Sequence, residues 1–295
     1  MRIKKHDSGN RYIRAGNVWV RDFTQKNVSA IGLNEMYEST DYAYIFGNEE
    51  LNKDYPKISD EIIYFKKIVV VSDGYDFDKR HLFLHKLDRD VAILAVNKAL
   101  NKWKLMSPKI APEMRRSLNA FVVNNPYKEC MSYLPEKGSK YYPTCVASIR
   151  TNTEFLKSYS GHVYTYIPTP DQNFGFQRAE TYFIDDYRNP VCACIGLAYR
   201  FGVEKLMFVC CDDSFDDKRE AAVQLPNGLW TYEHHLRAHE IIDANLYWLT
   251  HNEVRDVKVA NYSSGAEYQN AVYINNEEEA LAFFMEQEEG TQDVQ

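Results

Sequence analysis

From Lys67 onward the chain alternates short, continuous apolar runs with stretches that read as helices, and no other feature restricts the fold as much. Ile68–Val71 is β-branched throughout, the pattern of a strand covered on both faces. SDGYDFD follows, then the helix-like KRHLFLHKL. Ala92–Val96 reads as a strand, the stretch near Lys98–Leu105 as a helix and Ala120–Val123 as a strand. The pattern repeats through Thr144–Ile149, Thr153–Ser158 and Val163–Ile167. After the polar segment Pro168–Arg188, NPVCACIGLAYRFG reads as a buried helix, with Pro190 in its first turn and Gly202 as its stop. Leu206–Cys210 is a strand, Leu236–Leu249 a helix, Val257–Ala260 a strand and Glu277–Phe284 a closing amphipathic helix. The expected class is α/β: a Rossmann-like, mostly parallel sheet with helices on both faces, plus an irregular N-terminal segment.

The 295 residues suffice for one large domain, and 45% hydrophobic with 26% charged residues sets aside collagen-like and wholly disordered chains. Residues 1–66 carry short strand-like runs at Val18–Val20, Val28–Gly32 and Tyr42–Phe46, and are expected to pack on or extend the main domain. Residues 67–285 form the expected Rossmann-like domain, and 286–295 an acidic tail. Residues 1–26 hold seven basic against two acidic side chains, which suits a solvated surface or contact with a phosphate-bearing partner. No apolar run approaches the ~18 residues of a membrane span. Met1–Arg14 lacks the apolar core of a signal peptide. A soluble, cytoplasmic protein is expected. Of the six cysteines, Cys192, Cys194, Cys210 and Cys211 sit inside apolar runs without zinc-site spacing, the signature of reduced, buried thiols.

In an open parallel sheet, ligands bind beyond the carboxyl ends of the strands. That rule singles out Ser72, Asp73 and Gly74 after the first strand, then Asn97, then Asn124 and Asn125, then Arg150–Asn152, and finally Cys211–Ser214. Small polar residues at such exits suit a ribose, base or phosphate; they equally serve as turn and cap residues. SDGYDFD lacks the glycine pattern of nicotinamide and flavin sites and that of the P-loop. Its single glycine still allows backbone N–H groups to approach a phosphate at a helix N-terminus, with Asp76 or Asp78 capping that helix. Asp212, Asp213, Asp216 and Asp217 follow a buried strand, as ligands for Mg²⁺ beside a diphosphate or as a solvated loop neutralised by Lys218 and Arg219. His235 and His239 share a helix face; a general base drawn from His234, His235 and His239 fits better than a metal pair. His81 and His85 read as surface or packing residues.

VVVSDGYDFD, AILAVNKAL and NPVCACIGLAYRFGVEKLMFVCCDDSF together resemble the MptE-like family, whose archaeal members are hydroxymethyl-dihydropterin pyrophosphokinases. More distantly they are similar to motility-associated and sialyltransferase-like glycosyltransferases. Ile195–Gly202 and Leu206–Asp213 match the helix–strand pattern of that group, with Cys211 or Asp212 where the family often has Gly, and S-D-G-Y-D replaces G-x-G-P-S in the first turn. The resemblance implies nucleotide contacts near Gly74, Asn97, Asn125 and Asn189. Asp213 takes the strand-end acidic position, His235 (with His234 as competitor) the catalytic histidine, and Tyr232 stacks on the ligand or positions a phosphate. The expected function is transfer of a sugar from a nucleotide-sugar donor to a hydroxyl acceptor, whether a glycan, a nucleic acid or a small metabolite. The alternatives are a Mg-dependent, ATP-using pyrophosphokinase and a non-catalytic nucleotide-binding module.

Overall fold

The computed structural model describes residues 3–5, 11–15, 18–21, 47–61, 63–106, 115–134, 142–168, 183–184, 189–251, 255–265 and 267–285. Val28–Gly32, Tyr42–Phe46, most of Pro168–Arg188 and the acidic tail lie outside them. The N-terminal segment, expected to be irregular, contains an antiparallel meander of β1 (Ile3–Lys5), β2 (Arg11–Ala15) and β3 (Val18–Arg21).

The main sheet is parallel throughout its nine strands, in the order β14-β13-β10-β4-β5-β6-β7-β8-β9. Its members are β4 (Lys67–Val71), β5 (Val91–Val96), β6 (Ala120–Val123), β7 (Thr144–Ser148), β8 (Val163–Pro168), β9 (Phe183–Ile184), β10 (Lys205–Val209), β13 (Lys258–Tyr262) and β14 (Val272–Tyr273). A separate hairpin joins β11 (Ala222–Gln224) to β12 (Trp230–Tyr232). Besides a helical stretch at 47–52, the α-helices are α1 (Phe77–Leu84), α2 (Ala99–Met106), α3 (Thr153–Ser158), α4 (Pro190–Arg200), α5 (Glu233–Thr250) and α6 (Glu277–Met285).

Successive strand residues face opposite layers, and the core divides accordingly. Val69, Val71, Ile93, Ala95, Phe121 and Val123 pack with Phe83 and Leu84 of α1, Trp103 of α2, Phe155 of α3 and Phe284 of α6. Ile68, Val70, Ala92, Leu94, Val96 and Val122 pack with α4 and with Ile242, Leu246 and Leu249 of α5. Eight of the 11 residues of α4 are buried, so this helix is core rather than surface. It ends as its sequence predicts, with Gly202 at φ +79° just beyond it.

The chain lays strands outward from β4 through β9 and then returns to place β10 on the other side of β4. The strand order therefore reverses between β4 and β10, and the crevice of a doubly wound sheet lies at the carboxyl ends of that pair.

Candidate functional site at the strand reversal

Where β4 and β10 end, their loops interlock. The Ser72 N–H donates to Val209 O and the Gly74 N–H to Cys210 O, each at 3.0 Å. A Cβ on Gly74 would stand 2.2 Å from Asp212 Oδ1 and 2.4 Å from Cys210 O, so only glycine fits. The loop after β13 closes from the other side: Gly265 N–H donates to Asp212 Oδ2 at 2.6 Å, and a Cβ there would lie 2.5 Å from Asp212 Cβ. The Asp212 side chain is thus wedged between two glycine loops, fully buried, with no hydrogen-bond partner for Oδ1. Burial pushes its pKa up to about 6, against the opposing pull of the Gly265 N–H. Asn97, Cys210 and Asp213 are left-handed at φ +50°, +55° and +44°, a conformation costly for side chains other than Gly, Asn or Asp.

His235 reaches this junction through the β11–β12 hairpin, which is pinned when Phe215 and Trp230 exchange backbone hydrogen bonds of 2.9 and 2.8 Å. Thr231 Oγ1 then donates to Asp213 O at 3.0 Å, and His235 Nδ1 lies 3.2 Å from the same oxygen. A carbonyl only accepts, so Nδ1 carries the proton and Nε2 keeps its lone pair. Burial lowers the His235 pKa, and the hydrogen bond to Asp213 O partly opposes the shift. Tyr232 stands edge-on to His235 with ring centres 5.6 Å apart. Asp213 thus touches His235 through its main chain, a contact that the residue type did not announce. His234 heads the same helix, and its side chain lies outside the described set.

The remaining predicted residues separate by what already engages them. Asn125 Oδ1 accepts from Tyr127 N (2.8 Å), and Asn189 caps α4 by accepting from Val191 N (2.8 Å). In contrast, Asn124 Nδ2 is buried without a partner, and the Asn97 side chain is half-buried beside it on the next strand. Asp73 offers its carbonyl to Lys102 Nζ at 2.8 Å. Asp76 stands at the N-cap of α1 without capping it; its carboxylate instead pairs with Arg80 Nε at 3.3 Å. Arg80 also donates to Ser264 Oγ at 2.7 Å and lies over the Tyr262 ring, tying α1 to the exit of β13. Arg80, Lys102 and the β13 exit escaped the sequence reading. The exit was accessible to it, because Ser263-Ser264-Gly265 follows a strand just as Ser72-Asp73-Gly74 does.

The two histidine pairs differ. His85 Nδ1 accepts from Arg116 N at 3.0 Å, with its ring stacked on Trp103, and burial lowers its pKa to about 4. His81 Nδ1 lies 3.0 Å from Phe77 O, so both are packing residues. His239 is buried edge-on to Tyr268, neither ring nitrogen has a partner, and burial lowers its pKa to about 4.

Asp212 is buried, Asp216 and Asp217 are exposed neighbours, and among the described residues no three His, Cys, Asp or Glu side chains converge on one point. The six cysteines are free and buried. Among the described residues no helix is long and apolar enough to cross a membrane.

Parallel strands with helices on both faces, reversing order at an enclosed polar junction, define a Rossmann-like α/β domain. A solved structure described as a MAf glycosyltransferase from Magnetospirillum magneticum AMB-1 shares this fold, with a TM-score of 0.56 and 13% sequence identity over 79% of this chain. The chain covers 38% of the length of that structure. No family model matches the chain, and no curated protein does.

Proposed function

We propose that the chain is a transferase of the glycosyltransferase kind, taking a sugar from a nucleotide-sugar donor to a hydroxyl acceptor. The observation that carries this reading is the imidazole of His235, fixed by Asp213 O with Nε2 unprotonated at the strand reversal. In the proposed step the acceptor hydroxyl attacks the anomeric carbon. The bond from that carbon to the nucleotide phosphate oxygen breaks, and the hydroxyl proton passes to His235 Nε2 and then to solvent. Asn97 and Asn124 supply side-chain amides for the nucleotide, while Lys102 and the start of α1 favour negative charge on the departing phosphate. Ser72, Asp73 and Gly74 shape the turn beneath it, and Tyr232 flanks the base. Asp212 holds the junction together, and no step is routed through a metal. Support also comes from the shared fold with a structure described as a glycosyltransferase.

Calorimetry with nucleoside mono- and diphosphates, their sugars and ATP, each with Mg²⁺ and with EDTA, tests the reading. Saturable binding of one nucleotide and its sugar that persists in EDTA is expected. Binding of ATP alone, and only with Mg²⁺, replaces the reading with a pyrophosphokinase. No binding across the panel removes both.

A further inference from the structure

A second cavity lies far from the strand reversal, on the α4 face of the sheet toward the amino ends of the strands. It has a volume of about 280 Å³ between the sheet (Leu94, Ala120, Val122, Val146), the end of α4 (Leu197, Phe201) and the stretches 58–61 and 63–65. Ile58, Ile63 and Phe65 complete its mostly apolar walls, in which Asn119 and Thr144 are the polar members; Asn119 Oδ1 already accepts from Ile93 N at 2.8 Å. At its mouth stand Glu61, which is exposed, and Tyr164, whose pKa is raised by the charge of the nearby Glu61 carboxylate. Glu61 forms no ion pair with any described residue. A carboxylate has about four acceptor sites to offer a ligand.

An apolar chamber with a single unneutralised anion at its opening has a specific complement. We propose that this cavity binds a small amphipathic amine, with an apolar body inside and a protonated nitrogen on Glu61. A cavity of about 150 Å³ holds benzene, so this one suits a molecule of about a dozen non-hydrogen atoms. A carboxylate ligand meets like charge at the mouth, and an alcohol forgoes the charge-assisted bond. The site is independent of the nucleotide reading, since none of its lining residues belongs to the strand reversal.

The test is calorimetry on the full chain without nucleotide, using 4-phenylbutylamine, 4-phenylbutanol and 4-phenylbutyrate. One saturable site for the amine is expected, with the alcohol about tenfold weaker and the acid weaker still. Glu61→Gln, an exposed substitution, brings the amine down to the level of the alcohol. Ala120→Leu fills the chamber and abolishes binding of both; if that variant does not fold, Glu61→Gln decides. Absence of saturable amine binding, equal affinity for all three probes, or an amine affinity unmoved by Glu61→Gln overturns the proposal.

Discussion

The two halves of the sheet's carboxyl edge are built from the same residue types but differ in how far their polar groups are engaged. At the exits of β6 and β7 most polar groups are engaged within the protein, Asn124 Nδ2 and Asn52 Oδ1 being the exceptions. Asn48 Nδ2 donates to Pro126 O and Arg150 O at 3.1 Å each, and Asn52 Nδ2 donates to Ile149 O and Thr151 O at 3.0 and 2.7 Å. Asn152 caps α3 by accepting from Phe155 N, and Arg150 pairs with Glu49 at 2.6 Å. At the exits of β4 and β10, Asp212 Oδ1, Arg80 Nη1 and both nitrogens of His239 are buried without partners. Buried polar groups are nearly always hydrogen-bonded, so a concentration of orphans marks where a ligand or ordered water belongs. A polar strand exit is thus a necessary feature of such a site, and its lack of internal partners is the discriminating one.

The sharpest test of the contrast is His235→Ala. It is expected to lower kcat by about 10²–10⁴ while leaving donor affinity unchanged in titration, because the base acts on the acceptor proton. Full activity would return the junction to a purely structural role. Next comes a pair of glycines. Gly74→Ala forces a Cβ against Asp212 Oδ1 and the Cys210 carbonyl, and is expected to cost about 3 kcal/mol in denaturant unfolding and to weaken donor binding. Gly47→Ala, at the β6–β7 end, meets nothing within 4 Å and should be neutral or slightly stabilising. Asn48→Ala is expected to cost about 2 kcal/mol by stranding carbonyls, with donor affinity unchanged; a change in affinity would extend the site across the whole edge.

The smallest expected effect is one of pH. His85 and His239 have folded pKa values near 4, below the ordinary 6.5. The unfolded chain therefore binds protons more readily in that window. Their contribution to stability is complete above pH 6.5 and is lost as the pH falls toward 4. Asp212 acts in the opposite sense: its raised pKa favours the fold at low pH, and that contribution is lost as the pH rises through about 6. His239→Phe removes two orphan nitrogens, so Tm at pH 7 should hold or rise and its acid dependence should flatten. A clear loss of stability at pH 7 would reveal a hidden partner for the ring.

The sheet was legible because its signal is local: IVVV, VAILAV and KLMFV are continuous apolar runs, and α4 announces both its ends with Pro190 and Gly202. The edge of the sheet was legible as a location but not in its detail. Asn124 and Asn125 are adjacent and chemically identical, yet one amide is unpartnered and the other closes a turn, a difference set by Tyr127 and the geometry of the following loop. Asp76 occupies the cap position its sequence predicts while its carboxylate goes to Arg80, because that guanidinium is already held over Tyr262. The role of Asp213 rests on a main-chain oxygen, which residue identity cannot encode.

The burial of every cysteine bears on how the molecule can be instrumented. Burial pushes the Cys130 thiol up to about 12 and raises Cys145, Cys194, Cys210 and Cys211 as well, leaving these thiols little thiolate at neutral pH. The folded chain is therefore a silent background for maleimide chemistry. A single Ala244→Cys on the exposed side of α5 would carry a fluorophore or spin label without any native thiol being removed. The same inertness makes thiol reactivity a direct counter of unfolded molecules, since each reacting native cysteine reports a sheet that has opened.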